Sequence, residues 1–251
     1  MKLFDISGKK AIVTGASRGL GRGMAEGLHE AGAEVAIVDV LDDVYGTADE
    51  IGKTGPKVHA VKGDLGSREQ LVHAFNVALE KLGTIDILVN NAGIQRVYKA
   101  EEFPMDVWDQ VIQINLTTVF QLCQLAGKIM LQKKSGKIIN VASMNYFVTA
   151  QKIVAYVASK SAVGQVTKAL ANEWGASGIN VNAIAPGYFR TNLPSFVHQD
   201  TERETLINSR IPMGRWGNPD DLKGVAIFLA SPASDYVNGI VLPVDGGYLS
   251  R

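Results

Sequence analysis

The chain has 251 residues, 46% apolar and 20% charged, and its 25 basic residues balance 25 acidic ones. That length suits one compact domain with an ample core, and zero net charge gives no electrostatic pull toward nucleic acid or an anionic membrane. A lone cysteine, Cys123, excludes an internal disulfide and any multi-cysteine metal site, and four scattered histidines offer no metal-ligand spacing.

In chain order, Lys10 to Val13 reads as a first buried strand. The turn after it, Thr14-Gly15-Ala16-Ser17-Arg18-Gly19-Leu20-Gly21, leads into a helix from Gly21 to Ala31. Glycines in that place let the backbone approach a pyrophosphate, and the helix N-terminus offers free N–H groups and a favourable dipole. Gly15, Ser17, Arg18, Gly19 and Leu20 are therefore candidate cofactor contacts, although the Gly-x-x-x-Gly-x-Gly spacing is wider than the common dinucleotide fingerprint. Val35 to Val38 is the second strand, ended by Asp39. A carboxylate there accepts hydrogen bonds from the adenosine ribose and repels a 2′-phosphate, which favours NAD. Arg18 pulls toward NADP, because a guanidinium pairs with the extra phosphate. Direct pairing of Asp39 with Arg18 is a third option.

Val58 to Val61 is the third strand, with Asp64 and Leu65 beyond it as candidates for the adenine side. A turn-forming aspartate explains Asp64 almost as well. Ser67-Arg68-Glu69-Gln70 predicts a capping box before a helix over Leu71 to Leu82, stopped by Gly83. Ile85 to Val89 is the fourth strand, followed by Asn90-Asn91-Ala92-Gly93. Small residues there admit a cofactor and asparagines brace loops, so Asn91, Ala92 and Gly93 divide evenly between contact and bracing. Cys123, in the apolar stretch 119–123, is predicted to be a buried spectator. Lys137 to Val141, Ile179 to Ala183 and Ile240 to Val244 bring the strands to seven.

Continuous apolar strands alternating with helices predict a parallel sheet covered on both faces. The fold class is α/β, a single doubly wound Rossmann-type domain over residues 1–251, with a seven-stranded parallel sheet flanked by helices. Residues 188–216 are too long for a simple connection and read as a substrate-covering insertion, or else an ordinary surface one. No apolar run reaches bilayer-spanning length. The start, Met1 to Ile6, lacks the apolar stretch of a secretory leader, which predicts a cytoplasmic protein.

Ser143 follows the fifth strand, at the carboxyl edge where ligands bind in open α/β sheets. Tyr156 and Lys160 lie four apart in a run of helix formers and so share one face. A phenol near pKa 10 is a poor base, and a neighbouring ammonium would lower it. Tyr156 could then exchange a proton with an alcohol or carbonyl oxygen while a hydride moves at the adjacent carbon, with Ser143 holding that oxygen.

These motifs, in this order along nearly the whole chain, resemble the short-chain dehydrogenase/reductase family. Pro186-Gly187 belongs to the same pattern. The resemblance implies that Asn115 holds a proton-relay water near Lys160, that Lys160 also binds the nicotinamide ribose, and that Pro186, Gly187 and Thr191 lie at the nicotinamide end. Segments such as Asn182 to Tyr188 and Ile211 to Gly217 are similar to the sugar-acid 5-dehydrogenases, which act on 2-keto-3-deoxygluconate or gluconate and are usually homotetramers. The function implied is NAD-dependent interconversion of a secondary alcohol and a ketone on such a small-molecule acid. An NADP-dependent 3-oxoacyl carrier-protein-type reductase and a catalytically silent dinucleotide-binding protein are the alternatives. Residues 145–153 are expected to line the substrate pocket, with Tyr146, Phe147 and Thr149 making it bulkier than the resemblance implies. Ser143, Asn145, Tyr156, Tyr188 and Arg96 are candidate substrate contacts; Arg96, Lys152, Arg190 and Arg210 could each by position meet a carboxylate, and each also reads as a surface charge.

Overall fold

A computed structural model describes residues 2–190 and 201–251, with the side chains of 201–204 left aside. Seven strands form one all-parallel sheet in the order β3-β2-β1-β4-β5-β6-β7. They are β1 (Lys10–Thr14), β2 (Glu34–Asp39), β3 (Val58–Lys62), β4 (Ile87–Asn90), β5 (Gly136–Val141), β6 (Ile179–Pro186) and β7 (Val241–Val244). The order reverses between β1 and β4, which opens a crevice at their carboxyl ends.

Successive side chains on a strand point to opposite faces, and here both faces are buried. On β2, Ala36 and Val38 join the core beneath α3 (Arg68–Leu82), α5 (Thr118–Lys133) and α6 (Val154–Trp174). Val35 and Ile37 join the opposite core, beneath α1 (Gly19–Glu30), α2 (Asp43–Ile51) and α8 (Lys223–Ala230). This double burial is why the strands read as unbroken apolar runs. Cys123 sits in the first core, fully buried, and burial pushes its thiol up to about 12.

The fourth strand starts at Ile87 rather than Ile85. Asp86 is used differently, its carboxylate accepting the Lys10 N–H at 2.9 Å. The predicted capping box is half made. Ser67 Oγ accepts the Gln70 N–H, but the Gln70 side chain turns to the Asp64 N–H.

The helix α4 (Met105–Ile112) runs into α5 through a π-helical segment, Gln113–Thr117. Such wide turns gather at functional sites, and this one carries Asn115. The excursion after β6 begins and ends on itself. Tyr188 and Trp216 rings meet at 5.4 Å, and Phe189 bridges Gly217 in parallel. Within it lies α7 (Thr201–Arg210), and Arg210 stacks on Tyr248 at 4.8 Å. No helix among the described residues is long and apolar enough to cross a membrane.

Candidate active site

The glycine turn is built by close packing. Gly15 has φ +62°, and its carbonyl lies so near Gly21 that a Cβ there would sit 2.2 Å away. Asn91 braces the same spot, its Nδ2 donating to the Thr14 and Gly15 carbonyls at 3.0 and 2.9 Å. Thr14 Oγ1 in turn accepts the Asn91 and Ala92 N–H groups at 3.0 and 3.2 Å. Asn91 thus acts on the turn through its side chain while also bordering the cleft. We expect Gly21→Ala to cost about 1–3 kcal/mol, because backbone must move. Dinucleotide affinity should fall with it, measured by urea melts and a fluorescence titration.

A cleft of about 370 Å³ lies between this turn and the β4 end, bordered by Gly15, Arg18, Leu20, Asp39, Asp64 and Gly93 among others. Leu65 and Ala92 also border it. Asp39 is nearly buried. Its carboxylate accepts N–H bonds from Ser17 at 3.0 Å and Leu41 at 3.2 Å, so it is fixed in place without Arg18. Arg18 is exposed, and its guanidinium makes no hydrogen bond or ion pair among the described residues. Asp64 proves to be both a wall and a turn former, its Oδ1 accepting the Gly66 N–H at 2.8 Å. Val40, Leu41, Ile94 and Ile114 complete the wall and were not anticipated from sequence.

A dinucleotide fits these residues. Ser17 Oγ is buried at the turn with no partner, an orphan that a phosphate or ribose oxygen would satisfy. The Gly15 and Gly21 cradle would be filled by any Cβ. Beyond the cleft, Gly187 follows β6 and donates to Val244 O at 3.0 Å; neither it nor Pro186 borders the cleft itself. Gly19 opens α1, whose free N–H groups face the turn. Thr191 lies outside the described residues.

Ser143, Tyr156, Lys160 and Asn115 converge past β5. Burial raises the Tyr156 phenol pKa, and Ser143, within hydrogen-bonding reach of the phenol, partly offsets it. Lys160 donates to Val141 O at 2.6 Å, and its Nζ lies 5.9 Å from the Tyr156 ring centroid. Burial holds that ammonium down to about 8. The causes of the phenol's shift here are burial and Ser143, while Lys160 stands over the same ring. Asn115 spends its carboxamide on neighbours, pairing with both the N–H and C=O of Ile94 and donating to Ser159 Oγ at 3.1 Å. Its side chain thus fastens the β4 loop to α6. A Cβ on Gly93 would lie 3.2 Å from Asn115 Oδ1 and 3.5 Å from Lys160 Nζ, so the loop, Asn115 and Lys160 meet at one point.

The segment after Ser143 departs from expectation. Tyr146 turns away along α6, packing on Gly164 and bonding Lys168 Nζ at 2.5 Å and Gln165 Nε2 at 3.1 Å. Phe147 stands edge-on to it at 4.8 Å. Asn145 instead packs beside Ser143. Arg96 is exposed, bonded only to Gln95 O and Gln110 Oε1 among the described residues. Tyr188 stacks between Trp216 and Tyr248 and borders a separate cleft of about 220 Å³ with Met213 and Asp245.

A glycine turn at the switch point, facing a Ser-Tyr-Lys cluster past β5, defines a dinucleotide-dependent oxidoreductase site. The family model described as Enoyl-(Acyl carrier protein) reductase matches residues 15–249. A 2-dehydro-3-deoxy-D-gluconate 5-dehydrogenase of Bacillus subtilis (strain 168) is 46% identical over 248 residues, spanning 99% of this chain and 97% of its own. The protein of that name from Escherichia coli (strain K12) is 44% identical over 252 residues, spanning 100% and 99%. A gluconate 5-dehydrogenase from Burkholderia cenocepacia J2315, in complex with NADP and tartrate, has a TM-score of 0.94 at 39% identity, covering 100% of this chain and 98% of its own. The chain belongs to the short-chain dehydrogenase/reductase family.

Proposed function

We propose that the chain is an NAD-dependent dehydrogenase that interconverts a secondary alcohol and a ketone on a sugar acid of the 2-keto-3-deoxygluconate or gluconate type. The observation that carries the reading is the gathering of Ser143, Tyr156 and buried Lys160 past β5, with Lys160 Nζ 5.9 Å from the Tyr156 ring centroid, beside a dinucleotide cleft. The names of the Bacillus and Escherichia relatives support the substrate class, 2-dehydro-3-deoxygluconate being the same compound as 2-keto-3-deoxygluconate.

In oxidation, Tyr156 Oη takes the hydroxyl proton of the substrate; in reduction it returns one to the carbonyl oxygen. Ser143 holds that oxygen in place. The bound nicotinamide supplies the hydride acceptor or donor. Lys160 supplies positive charge below its pKa of about 8, and it binds the nicotinamide ribose. Asn115, by fastening the Ile94 loop to α6, keeps Lys160 in register and holds the relay water. Arg96, free of any carboxylate partner among the described residues, meets the carboxylate of the substrate. Tyr188 anchors the 188–216 insertion that covers it. The enzyme works in the cytoplasm as a homotetramer, with exposed Phe120 and Val154 on α5 and α6 available to an interface.

The fixed Asp39 carboxylate supports NAD, since a 2′-phosphate would meet a charge that cannot swing away. Arg18, whose guanidinium has no partner among the described residues, together with the NADP in the Burkholderia structure, favours some use of NADP as a second reading. Asp39→Ser should lower the NAD-to-NADP ratio of kcat/KM by about tenfold or more, the worth of one charge-assisted hydrogen bond. Steady-state rates with both dinucleotides test this, and an unchanged ratio would remove Asp39 as selector.

A further inference from the structure

Asn145 has an environment that the proposed reaction does not explain. It is nearly buried, in the short turn after Ser143, and Ser161 Oγ bonds its carbonyl from α6 at 3.4 Å. Its Nδ2 points to Val148 O at 3.4 Å. A carbonyl only accepts, so this contact fixes which way the amide faces. Oδ1 is left against the Ser143 hydroxyl at 3.2 Å, while the Asn145 N–H donates to the same Ser143 oxygen at 3.1 Å.

Ser143 has one proton and two acceptors within reach, Asn145 Oδ1 and the Tyr156 oxygen. With Tyr156 protonated, the phenol donates to Ser143 and the Ser143 proton goes to Asn145. Once Tyr156 has lost its proton, or a substrate oxygen has entered, that proton must turn toward them. Oδ1 is therefore the second rest position of a hydroxyl that changes direction during the reaction. The Asn145 N–H meanwhile pins the oxygen about which it turns.

We propose that Asn145 is a positioning residue that holds the Ser143 hydroxyl in the reacting plane and gives its proton a second acceptor. Its effect passes entirely through Ser143. This rests on the acid/base reading of Tyr156 and Ser143 given above. It separates Asn145 from a direct substrate contact, the role that the sequence suggested for it.

The test is a double-mutant cycle of Asn145→Leu and Ser143→Ala, on full-length protein with NAD and 2-keto-3-deoxygluconate. Wild type must first turn this acid over; failure there would count against the sugar-acid reading, before Asn145 is addressed. Asn145→Leu is expected to lower kcat about tenfold, with KM and NAD affinity within about twofold of wild type. In the Ser143→Ala background, read by single-turnover change in nicotinamide absorbance, the same change should have almost no effect. An equal loss in both backgrounds would overturn the proposal and place Asn145 on the substrate or in the loop. No loss in the wild-type background would overturn it too. Should leucine prevent folding, Asn145→Ala removes the same acceptor without added bulk and completes the same cycle.

Discussion

Tyr156→Phe should bind the dinucleotide within about twofold of wild type and lose about 10²–10⁴-fold in kcat, the usual worth of a general acid/base. The ring packing of Tyr156 survives the change and the oxygen alone is removed. The glycine turn, Asp39 and the Asn91 brace are untouched, because none of them bonds the phenol. KM for the sugar acid should move little, since the lost interaction belongs to proton transfer. Stopped-flow rates and a cofactor titration on the same preparation check both halves. Retained turnover would remove Tyr156 from the acid/base role.

Lys160→Met should abolish turnover and yet stabilise the fold. Burial depresses the ammonium from 10.5 to about 8. At about 1.4 kcal/mol for each unit, keeping the charge buried near pH 7 costs on the order of 3 kcal/mol. Losing the bond to Val141 O returns roughly 1–1.5 kcal/mol of that. A net gain of about 1–2 kcal/mol remains, a stability–activity trade-off at a functional site. The sign with pH follows from the depressed value. The cost is fully present below about pH 8 and is relieved as pH rises toward 10.5, because the unfolded chain then holds the proton that the folded one has released. The advantage of the methionine variant should accordingly shrink between those limits. Urea unfolding near pH 7 and near pH 10 reads both effects; a variant less stable than wild type near pH 7 would contradict the account.

Much of this was legible in the residues for identifiable reasons. Parallel strands buried on both faces must be continuously apolar, so all seven strands could be found. A glycine turn has to sit between a strand and a helix, and it does. Spacing of four put Tyr156 and Lys160 on one helical face, but spacing says nothing of what else lies within reach. Val141 O accepts the lysine's bond, and Ser143 stands within reach of the phenol. Long-range pairing of that kind has no local signature. The same holds for Ile94 and Ile114, brought to the cleft by a loop and a π-helical segment that periodicity does not reveal. Tyr146 was misplaced because Gly164, eighteen residues on, leaves a gap on α6 for its ring. Asn91 could be assigned only when its Nδ2 was seen on two carbonyls of the glycine turn.

The most direct test of the proposed activity is the initial rate of nicotinamide reduction by the purified protein. NAD and NADP are run in parallel, each with 2-keto-3-deoxygluconate and with gluconate. The account predicts turnover of a sugar acid, faster with NAD than with NADP, and its loss in Tyr156→Phe. No turnover of either acid with either dinucleotide, from protein shown to bind NAD, would contradict it.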